Sequence, residues 1–459
     1  MLSPLSSIDP VTGQVIAEYP QHSDQEIQHL FNRSDEVQSH WQDQSYAVKK
    51  QHMLRLAQIL ENKKTELARL MAQEMGKLLT EGEREIEKCV WLCRWFAEHA
   101  QAYLRDEHVE TEMEISKVSY HPLGVILAIM PWNFPFWQVF RCAVPAVMAG
   151  NSVILKHAPS TQGCALAIEL LFEEAGFPKG LVIHIKVDNN RVRSLISNPI
   201  VNMITFTGST KAGSLVAKQA GEFLKPSVLE LGGSDPYLIF DDAILTNAVE
   251  KCAHSRWLNT GQSCIAAKRI IVLDSVYDAF MKQFLAYAKK YTFVLPTNTH
   301  SKGNVIGPMA RLDLRDQLAI QVAESIEMGA RCELGGEISH RKGAFYPVTV
   351  LSNVSPGMPA FDQELFGPVA AITRARDDEH ALELANHTTY GLGAALFTES
   401  HDRIANYPSR IQVGNVAIND MVKSDPRLPF GGYFDSGWGK ELGLQGIRTF
   451  TRSQTVVKP

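Results

Sequence analysis

Residues 124–157 read GVILAIMPWNFPFWQVFRCAVPAVMAGNSVILKH. Gly124–Met130 is a short apolar run and predicts a buried strand. Val139–Met148 has the pattern of a helix, and Ser152–Leu155 is strand-like again. Strand, helix and strand in that order predict a parallel α/β unit. Gly124–Phe140 carries no charged side chain and so resembles a membrane span at first sight. It holds Pro131, Asn133, Pro135 and Gln138, however, and Arg141 follows at once. A lipid-exposed helix tolerates these poorly, so no membrane contact is expected.

The same texture extends in both directions. Upstream, Ser23–Glu26 reads as a capping box, and helical spacing continues with breaks to Leu104. Thr111–Tyr120 alternates loosely and suggests extended chain. Downstream, Gly163–Ala175 is helical, and Leu181–Val187, Met203–Phe206 and Ser227–Leu231 repeat the strand pattern. A second series follows Glu230, with strands expected at Tyr237–Phe240, Arg269–Leu273 and Ala370–Ala375. Its helices are expected at Ala243–Trp257, Ser275–Tyr291 and Arg311–Met328, and Thr449–Val457 is extended. A chain of 459 residues exceeds what one core usually holds, so more than one α/β domain is expected.

Composition narrows the function classes. Hydrophobic residues make up 45% and charged residues 21%, an ordinary globular balance. A net charge of −5 gives no support for binding nucleic acid. The N-terminal MLSPLSSIDPVTGQ has neither a basic nor an apolar region, so a secretory signal is not expected. The seven cysteines are odd in number and scattered, which suits a reducing, cytoplasmic setting. Cys89 and Cys93 lack a second metal-binding pair, so they are read as packing and no metal site is expected.

Cys264 follows the polar turn Asn259-Thr260-Gly261-Gln262-Ser263. Alone, such a cysteine is more often packing than chemistry. Five further segments change that reading. They are Pro131-Trp132-Asn133-Phe134-Pro135, Phe206-Thr207-Gly208-Ser209-Thr210, Leu229-Glu230-Leu231-Gly232-Gly233, Glu364-Leu365-Phe366-Gly367-Pro368 and Pro429-Phe430-Gly431-Gly432.

In that order, over essentially the whole chain, these motifs resemble the aldehyde dehydrogenase superfamily. The resemblance implies an NAD- or NADP-dependent oxidation of an aldehyde to an acid. It makes Cys264 the nucleophile, Asn133 the oxyanion donor and Glu230 the base that activates water. Each role has a chemical reason. A thiolate attacks a carbonyl readily, the adduct's oxyanion needs preorganised donors, and the thioester needs a base-activated water. The usual G-x-G-x-x-G fingerprint is absent. The family instead binds cofactor with residues that correspond here to Lys156, Gly208, Ser209, Trp132, Glu364 and Phe366. Many NAD-preferring members have Glu three positions after this lysine, whereas this chain has Pro159, so NADP is expected to be tolerated.

Arg141 bears on the substrate. It is read either as an arginine paired with a protein carboxylate or as a clamp for a substrate carboxylate. It matches a substrate-binding arginine of succinate-semialdehyde dehydrogenases, which favours succinate semialdehyde, then glutarate semialdehyde. A second arginine common six positions before the nucleophile is Leu258 here, with Arg256 two residues earlier. That departure supports a broad-specificity aldehyde dehydrogenase as the rival. A cysteine often found two positions after the nucleophile is Ala266. A relay lysine common after Arg141 is Cys142, although Glu441 matches the relay's acidic member. Trp132, Phe134, Trp137 and Trp257 are candidate tunnel residues, with Trp137 foremost, and Phe430 is expected near the site. A non-catalytic relative would be expected to lose Cys264, Asn133 or Glu230, and all three are present. A cysteine hydrolase needs a histidine base, and none adjoins these motifs.

The resemblance implies a Rossmann-type cofactor domain over 1–106 and 124–231, and a catalytic domain over 232–430. It also implies a β arm over 107–123 and 445–459. An unpaired strand edge needs cover, so a homodimer or homotetramer is expected.

Overall fold

Two parallel sheets dominate the computed structural model, which describes residues 3–298 and 303–459. The first has six strands, in the order Gly437–Trp438, Ser227–Glu230, Val201–Thr207, Val125–Met130, Ser152–His157 and Val182–His184. Every pairing is parallel except the edge pair, where Gly437 lies opposite Glu230 in antiparallel register. Val125–Met130 is buried at every position, as expected for a strand covered on both faces. The apolar run therefore forms a central strand, and Trp137–Met148 is a wholly buried helix.

The second sheet has seven strands. Their order is Arg331–Leu334, Thr349–Ser352, Val369–Ala375, Arg269–Leu273, Pro236–Ile239, Gly393–Phe397 and Asn415–Ile418. Only the first pair is antiparallel. Four of these strands were not foreseen: Arg331–Leu334, Thr349–Ser352, Gly393–Phe397 and Asn415–Ile418. They are four or five residues long, and Gly393-Ala394-Ala395 has little strand preference of its own. The N-terminal hairpin Leu5–Ile8/Val15–Tyr19 was also not foreseen.

The expected elements elsewhere are present with shifted ends. Ser23 and Glu26 form the capping box at the start of helix Asp24–Trp41. The strand expected at Leu181–Val187 shortens to Val182–His184. The C-terminal extended segment begins at Thr451, after helix Gly443–Thr449. Thr451–Lys458 pairs along its full length with Ile115–Pro122, which in turn holds Glu107–His108. This small antiparallel sheet stands apart from the two parallel ones. No helix of the described residues is long and apolar enough to cross a membrane.

Candidate active site

The turn that carries Cys264 is built from unusual backbone. Asn259, Thr260 and Gly261 follow one another at φ 53°, 55° and 75°. A non-glycine residue in this left-handed region costs roughly 1–3 kcal/mol, so its surroundings must hold it there. Asn259 donates its backbone N–H to Glu81 Oε1 at 2.9 Å and its side-chain N–H to the Asn133 carbonyl at 2.8 Å. Gln262 donates to the Asn259 carbonyl at 3.0 Å and accepts from Ala310 N at 2.9 Å. Asn133 Nδ2 donates back to the Gln262 carbonyl at 3.1 Å, which leaves its second N–H for another acceptor.

Two buried cations finish the turn, and neither was foreseen in this role. Arg256 Nη2 reaches the carbonyls of Gly261 at 2.5 Å and Gly367 at 2.9 Å. It therefore ties the Cys264 turn to the Glu364–Pro368 segment rather than facing substrate. Lys268 Nζ donates to the carbonyls of Ser263 at 2.9 Å and Cys264 at 2.6 Å. The same ammonium lies 3.2 Å from Glu364 Oε1. Its sequence signal was a Lys-Arg pair at the mouth of an apolar strand.

Glycines at 232 and 233 allow this crowding. A Cβ on Gly232 would stand 2.6 Å from Glu364 Oε2, and one on Gly233 would stand 2.9 Å from the Cys264 carbonyl. The strand ending at Glu230 can therefore run directly under both the cysteine turn and Glu364.

Arg141 has protein partners. Its Nε lies 2.6 Å from Glu441 Oε2, and its Nη2 lies 3.8 Å from Glu230 Oε2. All three side chains are buried. Glu441 is brought there by a two-bond bridge with Phe430, whose ring faces the Arg141 guanidinium at 4.9 Å. Cys142 turns away, donating its thiol to the Val139 carbonyl at 3.2 Å. Arginine thus stands between the two glutamates, in a site where Cys142 occupies the position of the family's relay lysine.

Burial dominates the titration of the site. It pushes the Glu230 carboxyl up to about 8, against the pull of Arg141 and with help from Glu441. It pushes Glu441 up as well. The Cys264 thiol is raised to about 12 by burial, while Arg141 and Lys268 act to lower it. The resting cysteine is therefore a thiol, and its reaction requires loss of a proton.

Two cavities meet at Cys264, and Gln138 shares the common wall. The first is lined by Trp132, Asn133, Gly208, Ser209, Glu364 and Phe366. Ser209 caps helix Thr210–Glu222, whose first N–H groups suit a phosphate. The ring of Trp132 meets Phe366 edge-on at 5.8 Å. Lys156 does not line this cavity and instead donates to Asn189 Oδ1. The second cavity is lined by Phe134, Trp137, Arg141, Leu258 and Phe430. It also takes in Lys88 and Ser424, which sequence reasoning missed. Trp257 is absent from both and packs on Phe284 and Tyr291 instead, because its helix turns that face into the core.

A cavity that reaches the N-terminus of helix Thr210–Glu222 and an apolar one share a single cysteine. That arrangement suits transfer between a dinucleotide and a small carbonyl compound. The model of the aldehyde dehydrogenase family matches residues 3–456. The chain belongs to the aldehyde dehydrogenase family. It is therefore an NAD(P)-dependent aldehyde dehydrogenase with that family's α/β fold. It is 42% identical to the succinate semialdehyde dehydrogenase [NAD(P)+] Sad of Escherichia coli, over 98% of this chain and 97% of that one. It is 40% identical to a probable succinate-semialdehyde dehydrogenase [NADP(+)] of Synechocystis, over 98% and 99%. Among solved structures, the succinic semialdehyde dehydrogenase of Streptococcus pyogenes, determined with NADP+, superposes with a TM-score of 0.96 at 30% identity. That match covers 99% of this aldehyde dehydrogenase and all of the other chain.

Proposed function

We propose that the protein oxidises a short ω-carboxylated aldehyde, succinate semialdehyde first and glutarate semialdehyde next. The observation that carries this reading is the apolar cavity that runs to Cys264 and contains the guanidinium of Arg141. The named activity of the relatives supports it.

Cys264 passes its thiol proton to water, and the thiolate Sγ adds to the aldehyde carbon as the C=O π bond breaks, forming a thiohemiacetal anion. Its oxyanion is met by the free N–H of Asn133 Nδ2 and the backbone N–H of Cys264. A nicotinamide dinucleotide, bound along Trp132, Gly208, Ser209, Glu364 and Phe366, supplies the hydride acceptor. The thioester left on Cys264 is then hydrolysed. Glu230, once deprotonated, takes a proton from the attacking water. Arg141 balances the charge of Glu441 and Glu230 and contributes positive potential to the substrate cavity. Pro159 opens a short 3-10 helix where a carboxylate would repel a 2′-phosphate, which favours acceptance of NADP.

The six-stranded sheet is assigned to the cofactor domain and the seven-stranded sheet to the catalytic domain. The outer edge of Thr451–Lys458 has no partner strand among the described residues, and Val456 and Val457 are exposed on it. A homodimer or homotetramer that covers this edge is the expected assembly. The dispersed free cysteines fit a cytoplasmic setting.

The test is kcat/KM for succinate semialdehyde and for butanal, with each dinucleotide, in wild type and Arg141→Ala. The reading expects the wild type to prefer the semialdehyde and the variant to lose that preference. Equal loss on both aldehydes would remove Arg141 from substrate choice. No wild-type preference would favour the broad-specificity reading, to which Leu258 in the cavity wall already lends weight. An advantage of NAD over NADP of several thousandfold, on the order of 5 kcal/mol, would refute the cofactor reading.

A further inference from the structure

The substrate cavity contains a lysine with no carboxylate at ion-pair distance among the described residues. Lys88, on helix Leu79–Tyr103, donates to Ser424 Oγ at 2.7 Å, and its ammonium lies 4.3 Å from the Trp137 ring centre. Among the described residues, none of its partners is a carboxylate at ion-pair distance. The acidic groups that act on it from further away are Asp425 and Glu85. Asp425 is paired with Arg427 at 2.7 Å, and Glu85 is paired with Lys77. Of the other cations that line the cavity with Arg84, Arg141 is matched by Glu441 and Lys423 by Asp420, and Glu81 joins Glu85 as its acidic lining.

Ser424 has a second feature. Its oxygen accepts from Lys88 and also from Trp137 Nε1 at 3.2 Å. With both donors turned onto its lone pairs, its own O–H is left to donate. Lys88 keeps two further N–H groups beyond the one spent on Ser424. Lys88 is only partly buried, so water meets these donors in the open cavity, and a substrate that displaces that water leaves them unmet unless it brings an anion. Burial and the repulsion of Arg141 push the Lys88 ammonium down to about 8, as expected for a cation lacking its counter-charge.

We infer that Lys88, with Ser424 beside it, takes the carboxylate of the ω-carboxylated aldehyde and so sets substrate choice. Lys88 thereby supplies the second cation that Leu258 does not. The inference rests on the proposed substrate class, and its test separates the two. Substrate enters with its aldehyde at Cys264 and its carboxylate against Lys88, across a cavity both residues line. Trp137 forms the wall between, positioned by Ser424 at its Nε1 and by Lys88 on its ring face.

The experiment compares Lys88→Met with the wild type on succinate semialdehyde and butanal, at saturating dinucleotide. The ratio of kcat/KM for semialdehyde over butanal is expected to fall roughly thirtyfold or more, mostly through KM. A ratio that stays within about twofold of the wild type overturns the role of Lys88. Lys88→Arg, which retains the charge, should keep more of the ratio than Lys88→Gln, and this pair decides the matter if Lys88→Met does not fold. Equal ratios in Lys88→Arg and Lys88→Gln also overturn it. If the wild type prefers the semialdehyde and Lys88 variants keep that preference, only Lys88 fails. If the wild type has no preference, the substrate class itself fails and the inference falls with it.

Discussion

Arg141 Nε lies 2.6 Å from Glu441 Oε2, so this arginine of helix Trp137–Met148 is bound first to a glutamate near the C-terminus. Glu441 raises the Glu230 carboxyl through like-charge repulsion. Glu441→Gln removes that repulsion and frees Arg141 to act on Glu230. The rising limb of the kcat–pH profile should therefore move to lower pH. A limb that stays in place or moves up would sever Glu441 from the base. Breaking a buried pair also costs about 3–5 kcal/mol, which a lowered melting temperature should report.

Glu230 is expected to work only when ionised, and its carboxyl is raised to about 8. The sign follows directly: activity should climb from about pH 6, pass half its plateau near about 8, where half of Glu230 is ionised, and level off roughly one unit higher. Glu230→Gln should keep the first rapid burst of reduced dinucleotide and slow the steady state by about 10²–10⁴-fold. A variant with wild-type steady-state turnover would mean that another group activates the water.

Lys268→Met leaves the carbonyls of Ser263 and Cys264 without their donor and Glu364 without its cation. The expected loss of stability is about 2–4 kcal/mol, read by denaturant melting. The Michaelis constant for dinucleotide should rise together with a fall in kcat, because one ammonium holds both the cysteine turn and Glu364. A change in only one of the two would show that the turn and Glu364 are held independently.

Gly233→Ala places a methyl 2.9 Å from the Cys264 carbonyl, against backbone that Lys268 pins. The cysteine turn has to shift, and a displacement of about 1 Å can cost on the order of a hundredfold in rate. Thermal melting should fall less sharply than kcat, since the crowding is local. An active variant at wild-type rate would mean the turn adapts freely.

Much of the candidate site was legible because its residues lie in short contiguous motifs. Asn133 lies in a Pro-flanked turn after a strand, Glu230 ends a strand before two glycines, and Cys264 follows a Gly-containing turn. Each motif is local, so residue order alone exposes it. The parallel sheets were legible for a similar reason, since buried strands such as Val125–Met130 are unbroken apolar runs. Short strands such as Gly393–Phe397 were not, because their pairing with Pro236–Ile239 and Asn415–Ile418 outweighs weak local preference.

By itself, the sequence determined the family, a candidate nucleophile and most of the strands and helices around it. Only the tertiary structure decided which charges face one another. Arg141 was open to two readings, and its neighbour Glu441 enters from the loop that closes on Phe430. Lys88 carried no motif at all and meets Ser424 from 336 residues away. Charge balance in a buried cavity depends on distances through space, and folding sets those by bringing remote segments together. Local pattern can name an arginine or a lysine; it cannot say which of them already has its counter-ion.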